Sequence, residues 1–335
     1  MTTSKLRISA MFAVAAASAL LMTACGGQQS REPVAAGSGE ACVAPAQQLT
    51  IATGNSTGVY YVLGGAISDV LSTETDLRVT AAETGASVQN IEQLVAGDYD
   101  IAFSLADTAS DAVNGTGSFS EPQPVKALGR IHSNYTQVIV RKDSGIHTVA
   151  DMAGKTVSTG SPKSGTEVIA LRLLEAAGLD PDTDVTTQRL DLATSVDELR
   201  NGTLDAIFWS GGLPTPNLTE LFTMDAGTVE FLDVTPELAG MQKISPVYQK
   251  GAIPADTYGL DADVPTIIVP NMLLVRGDMD DATACDITDT IWSNVDKLAQ
   301  VHAAASEFDA ATATQTDPIP LHPGAKEALE ALAGK

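Results

Sequence analysis

The run Leu94, Gly97, Asp100, Phe103 returns as Leu199, Gly202, Asp205, Phe208, an offset of 105 residues, and Ile51-Ala52-Thr53-Gly54-Asn55 is echoed by Val157-Ser158-Thr159-Gly160-Ser161 at an offset of 106. Two agreeing offsets restrict the chain to two copies of one plan, because a period this long exceeds the roughly 20 to 50 residues of a solenoid repeat. The first copy shows what the plan is. Leu49 to Thr53 reads as a strand, Gly54 to Gly58 as a tight loop, Val59 to Leu71 as a helix and Leu77 to Ala81 as a second strand. Ser87 then caps a helix whose apolar face is Val88, Ile91, Leu94 and Val95, Gly97 ends it, and Ile101 to Phe103 is the next strand. The fold class is α/β with two lobes. Gln137 to Arg141 and the runs Thr266 to Val269 and Met272 to Val275 are the expected crossings. Lobe one is then 49–136 with 270–335, including a helical tail from Thr288 to Ala305, and lobe two is 137–269. A cleft lies between them.

The amino-terminal end sets the compartment. Lys5 and Arg7, the apolar run Ile8 to Met22 and the small residues Thr23-Ala24 before Cys25 form a signal peptide over 1–24. The site resembles a bacterial lipobox, with Cys25 carrying the lipid, and no other segment approaches transmembrane length. Membrane contact is expected through that lipid alone, at the extracytoplasmic face, with 25–48 as an Ala, Pro, Gly and Gln rich linker. Without the leader, 17 basic side chains face 42 acidic ones, a formal charge of −25. Nucleic acid is excluded as a partner, since phosphate binding needs a basic footprint; an anionic small ligand is not, because a local pocket can oppose the global field. Cys42 and Cys285 remain after lipidation, and an oxidising compartment favours a disulfide between them. A monomer is expected.

Several motifs fail on their chemistry. Gly54-Asn55-Ser56-Thr57-Gly58 matches the G-x-S-x-G of a hydrolase elbow, but Ser56 follows the first strand of the domain and lacks the preceding strands that supply an oxyanion loop. Gly160 to Thr166 lacks the P-loop Lys between Gly165 and Thr166. Asp180, Asp182 and Asp184 begin like a calcium loop, yet Val185 replaces its turn Gly. The four histidines show no paired metal spacing, and no cofactor is implied. What remains is one turn per lobe rich in Gly, Ser, Thr and Asn at a helix start, where free N–H groups and the helix dipole hold an anion without a buried cation. Ser164 with Glu167 also forms a capping box.

Five separated segments carry a resemblance: Ile51 to Tyr61, Thr84 to Asn90, Ser164 to Glu167, Gly211 to Pro214 and Ile319 to Ala325. At these residues the sequence resembles the TAXI family of solute receptors, the binding subunits of TRAP transporters. The resemblance implies a two-lobe periplasmic-binding-protein fold with two crossover segments, delivery of a solute to a TRAP permease membrane subunit, and no enzymatic activity. It places Thr53, Gly54, Asn55 and Tyr60, then Ser87 and Asn90, then Ser164, Gly165 and Thr166 around the ligand, with Gly212 and Leu213 approaching from lobe two. The family's glutamate-like amino acids and dicarboxylates make a carboxylate solute the expectation. Lys163, the sole cation of the candidate loops, is a possible partner for it, and Arg130 is a second. The alternatives are the binding component of a sensor or an ABC-type importer, or a serine hydrolase using Ser56.

Overall fold

The computed structural model of the chain describes residues 42–334. The expected leader and the Cys25 lipidation site lie outside them. The first half runs β1 (Gln48–Ala52), α1 (Val59–Glu74), β2 (Arg78–Ala82), α2 (Ser87–Ala96), β3 (Ile101–Leu105) and α3 (Ala106–Asn114), then enters the long β4 (Val125–Arg141). The second half runs β5 (Thr156–Ser158), α4 (Gly165–Ala176), β6 (Thr186–Gln188), α5 (Leu192–Arg200), β7 (Ala206–Gly211), α6 (Pro216–Asp225), β8 (Val229–Phe231), α7 (Leu238–Ile244), β9 (Gln249–Ile253) and α8 (Ala255–Tyr258). The chain returns through β10 (Val264–Arg276) and closes with α9 (Asp281–Ser293), α10 (Val295–Val301), α11 (Ala310–Ala313) and α12 (Pro323–Ala333).

The duplication is visible in the element starts. α1 and α4 begin at Val59 and Gly165, and β3 and β7 begin at Ile101 and Ala206. The repeated Gly has a backbone cause: Gly97 (φ 84°) and Gly202 (φ 77°) both take the left-handed conformation that ends α2 and α5. α1 buries Val59, Leu63, Ile67, Val70 and Leu71, a helical stripe, and β3 is buried at all five residues, as a parallel interior strand must be.

The strands form one mixed sheet in the order β2-β1-β3-β10-β4-β7-β5-β6, with β8 on β4 and β9 on β10. β1, β2 and β3 are parallel, as are β5, β6 and β7, and each set is flanked by the antiparallel pair β4 and β10. This is the two-lobe periplasmic-binding-protein fold. β4 pairs with β10 from Val125 to Tyr135 and with β7 from Tyr135 to Val140, so the passage between lobes is made inside an unbroken strand. The expected division at 137 and 270 therefore falls within strands. Neither Gly nor Pro interrupts β4 there, so no local signal marks the change of partner.

Two expectations about the ends shift. The tail helix starts at Asp281, not Thr288, because the Asp280 carboxylate accepts the N–H of Thr283 and caps it. The end of the linker is held down. Cys42 pairs with Cys285 of α9, their Cα atoms 5.3 Å apart; the Ala44 N–H donates to Asp286 at 2.8 Å, and Gln47 donates to Thr283 at 2.9 Å. The main apolar core takes Val88, Ile91 and Leu105 from lobe one together with Ile169, Leu173 and Phe208 from lobe two. The lobes lie closed on one another.

Candidate functional site

The two copies of the strand-to-helix turn meet across the cleft. Asn55 and Ser161, equivalent positions of the duplication, bond directly, the Ser161 hydroxyl donating to Asn55 Oδ1 at 3.1 Å. Between the turns lies a cavity of about 40 Å³, lined by Gly54, Asn55, Gly58, Val59, Tyr60, Ala86, Ser87, Leu105, Ser161, Ser164, Thr166, Trp209, Ser210 and Gly211. A single water needs about 10–15 Å³ in the same measure, so the space suits a small organic molecule.

Each of three hydroxyls in the wall is already used as an acceptor. Ser164 Oγ takes the N–H of Glu167 at 3.0 Å, Ser87 Oγ that of Leu105 at 3.1 Å, and Thr166 Oγ1 that of Ser210 at 3.2 Å. Thr166 in turn donates to Ser210 Oγ at 3.3 Å and Ser87 also bonds the Tyr60 hydroxyl, so the hydroxyl protons left for the cavity are those of Ser164 and Ser210. Asn55 Oδ1 is spent on Ser161, which leaves the amide nitrogen as its free face. The first turns of α1 and α4 add N–H groups at Val59, Tyr60, Gly165 and Thr166 that no helix carbonyl can take. The walls between are apolar: Val59, Leu105 and the Trp209 ring, whose Nε1 donates to the buried Thr215 hydroxyl at 3.1 Å. Among the described residues, no charged side chain lines the cavity. It is a neutral, donor-rich chamber at two helix N-termini.

Of the expected site residues, Gly54, Asn55, Tyr60, Ser87, Ser164 and Thr166 line this cavity. The others stand behind it. Thr53 is buried and donates to the Ala82 carbonyl at 2.6 Å. Asn90 donates to the carbonyls of Thr53 at 2.7 Å and Phe103 at 2.8 Å, so it ties β1 to β3 under the turn. Gly165 lets the lobes approach, since a Cβ there would stand 2.5 Å from Leu105 and 2.7 Å from Ser87 Oγ. Gly212 abuts His132 and Ala304, and Leu213 packs with the core of lobe two. Lys163 points outward, its side chain 59% exposed and its ammonium 2.7 Å from Glu92. Its carbonyl instead accepts the N–H groups of Val88 and Gln89, both at 3.1 Å, sealing the start of α2. Arg130 borders a separate surface cleft with Gln249 and Asp317. Ser56 is exposed and outside the cavity, its N–H held by Glu83 at 2.8 Å.

Ser87 does not cap α2. Ala86 occupies the cap with φ 81°, and Ser87 is the first helical residue. Nor does Glu167 complete a capping box, because its carboxylate reaches past Ser164 to the N–H of Lys163 at 2.7 Å. The sequence points to the Gly54 to Gly58 loop, whose Gly58 lines the cavity, but not to Val59, Ala86, Leu105, Ser161, Trp209, Ser210 and Gly211. The duplication held the signal for three of them: Ser161 is the counterpart of Asn55, and Leu105 and Ser210 are matched positions, the last residue of β3 and the last but one of β7.

Two buried networks support the walls. Burial drives the Tyr60 hydroxyl far above its ordinary pKa, against the opposing Ser87 hydroxyl, and the protonated group donates to Asn271 of β10. The Asn271 amide in turn donates to the His132 carbonyl of β4 at 2.9 Å. Burial also pulls His132 down to about 4, although the Ser133 carbonyl and Glu307 oppose it, so the ring is neutral near pH 7. On the other side, Arg172 of α4 bonds Asp107 at 3.2 Å and also Asp111, both of α3, while the Tyr248 hydroxyl donates to Asp107. Burial raises the pKa of Asp107, with Arg172 pulling the other way.

The model of the NMT1-like family matches residues 51–330. The chain belongs to the NMT1-like family. Among solved structures, this family member is similar to the binding-protein component of an ABC phosphonate transporter from Pseudomonas aeruginosa, at TM-score 0.54 and 14% identity over 79% of this chain and 80% of that one. It is also similar to PhnD1 of Prochlorococcus marinus, solved with methylphosphonate, at 0.53 and 11% over 87% and 100%. A third is a protein of Bordetella bronchiseptica RB50, at 0.52 and 20% over 85% and 89%. These likenesses carry the fold. The TAXI resemblance is thereby corrected: the family that fits the chain is the NMT1-like one, and the first of these neighbours is a component of an ABC-type system. The segments behind that resemblance sit at strand-to-helix turns, at the end of β7 and at the start of α12, places where any chain of this fold must turn.

Proposed function

We propose that this NMT1-like protein is an extracytoplasmic solute-binding protein, anchored through Cys25, that closes around a small oxyanion and presents it to an ABC-type importer. The observation that carries this reading is the wall chemistry: the Ser164 and Ser210 hydroxyls, an amide nitrogen and two helix N-termini face one enclosed space that no charged side chain of the described residues enters. Such a set suits a ligand rich in acceptors, and helix N-termini favour a negative one. The ABC-type partner is supported by the phosphonate-transporter neighbour, and the oxyanion by the methylphosphonate complex. Binding without turnover fits the exposed position of Ser56.

A ligand screen by thermal shift tests it. Methylphosphonate, a short alkanesulfonate, a short carboxylate, glutamate and a neutral sugar are each added in large excess. At about 100 times Kd a ligand stabilises the folded state by roughly 2.7 kcal/mol. At least one oxyanion should raise the melting temperature and the sugar should not. Tight binding of the sugar with no response to any oxyanion would overturn the reading.

A further inference from the structure

The same cavity also specifies the charge of its solute, provided that the solute-binding reading holds. We infer that the site selects a monoanion with a short apolar arm, and rejects both dianions and molecules that carry an ammonium group.

The walls supply a limited positive potential. α1 and α4 are long enough, at 16 and 12 residues, for their N-termini each to present roughly half an elementary charge, together about one, the Glu167 carboxylate in the first turn of α4 being offset by Arg189 at 2.6 Å. A third helix start is nearby but already spent, since the Lys163 carbonyl takes the N–H groups of Val88 and Gln89. Among the described residues no cationic side chain adds to the sum. The Lys163 ammonium is on the rim with Glu92, and Arg172 is shared between Asp107 and Asp111 outside the lining. One negative charge is therefore matched, and a second one enclosed here would have no partner.

An ammonium group would meet the wrong surroundings. No carboxylate of the described residues lines the cavity to balance its charge. A bound ammonium would face donors and the positive ends of two helices. The remaining walls, Val59, Leu105 and Trp209, are apolar and suit a short alkyl arm. Glutamate, which combines two carboxylates with an ammonium, fails on both counts.

Titration calorimetry of the whole chain against a matched four-carbon set tests the charge rule. Butanoate has one negative charge, succinate two, 4-aminobutanoate a carboxylate with an ammonium, and 1-butanol none. Butanoate, or the equally charged propane-1-sulfonate, should bind at least tenfold more tightly than the other three. Propylphosphonate should bind more tightly as the pH is lowered through its second ionisation. Succinate or 4-aminobutanoate binding as well as the monoanions would overturn the charge rule while leaving a solute-binding protein. If no member of the set binds and methylphosphonate also fails, the solute-binding reading falls and takes this one with it.

Discussion

Lys163 and Ser164 are neighbours with opposite expected roles. Lys163 contributes its carbonyl to the closed state, and its ammonium makes an exposed pair with Glu92. An exposed pair is worth about 0.2–1 kcal/mol, so Lys163→Ala should change solute affinity by less than about fivefold. Ser164 caps α4 and lines the cavity, with its hydroxyl proton unused by the hydrogen bonds of the described residues. Ser164→Ala should cost about 1 kcal/mol of stability as a lost cap, and a lost bond to a charged ligand, roughly 1.5–3 kcal/mol, should weaken binding by more than tenfold. Calorimetry on both variants checks the contrast; equal effects would mean the cation was the better candidate after all. His132 gives a prediction in pH. Its folded value of about 4 lies below the ordinary 6.5, so the unfolded chain binds the proton more readily between those values. The associated stability is present above pH 6.5 and is lost as the pH falls towards 4, about 3 kcal/mol in all and roughly 2 by pH 5. Urea unfolding of His132→Gln at pH 7.5 and 5 should show a smaller acid loss than the wild type, and an unchanged loss would remove His132 from the account.

The elements were readable where the physics is local, and unreadable where it is not. The stripe of α1, the Gly stops of α2 and α5 and the capped start of α4 are written in adjacent residues, and the duplication predicted that two such turns would face each other. The sequence did not show that Ala86 would take a positive φ, since Ala is not a residue that favours the left-handed region, nor that Gly85 is needed where a Cβ would stand 2.8 Å from the Pro162 carbonyl of the facing loop. Nor did it show that Asn90 lies beneath the site, because both its carbonyl partners come from other strands. The lead-in to β1 looked like linker for the same reason, its contacts on α9 being 236 to 242 residues away. That attachment carries a prediction of its own. A loop closed by the Cys42 to Cys285 pair spans 243 residues, for which chain entropy gives about 5 kcal/mol, against roughly 2–4 usually measured. Cys285→Ser should lower the unfolding free energy by that order, and Cys42→Ser by the same amount, since either one opens the loop. Two alkylatable thiols in the oxidised wild type would contradict the pairing.

At the scale of the molecule, the question is what favours closure once a solute is present. β4 and β10 run through both lobes as the shared strands, which makes them the natural hinge, and the Tyr60 to Asn271 to His132 chain ties the cavity wall to both. Behind the cavity, Arg172 of one lobe stands between Asp107 and Asp111 of the other. The two carboxylates are neighbours on α3 and the arginine comes from the other lobe, so opening of the cleft is expected to part Arg172 from both. Removing the arginine therefore penalises the closed form alone, leaving two carboxylates facing each other in a buried place. Breaking a buried pair of this kind costs about 3–5 kcal/mol, although the raised pKa of Asp107 allows protonation to absorb part of that. Apparent affinity falls in proportion to the population of the competent state, so Arg172→Met should weaken solute binding by a hundredfold or more with every cavity residue intact. Small-angle scattering should show the variant with a larger radius of gyration than the wild type at the same solute concentration, returning to the closed value only at much higher concentration. Wild-type affinity and a wild-type scattering profile in that variant would show that closure is driven by the cavity alone.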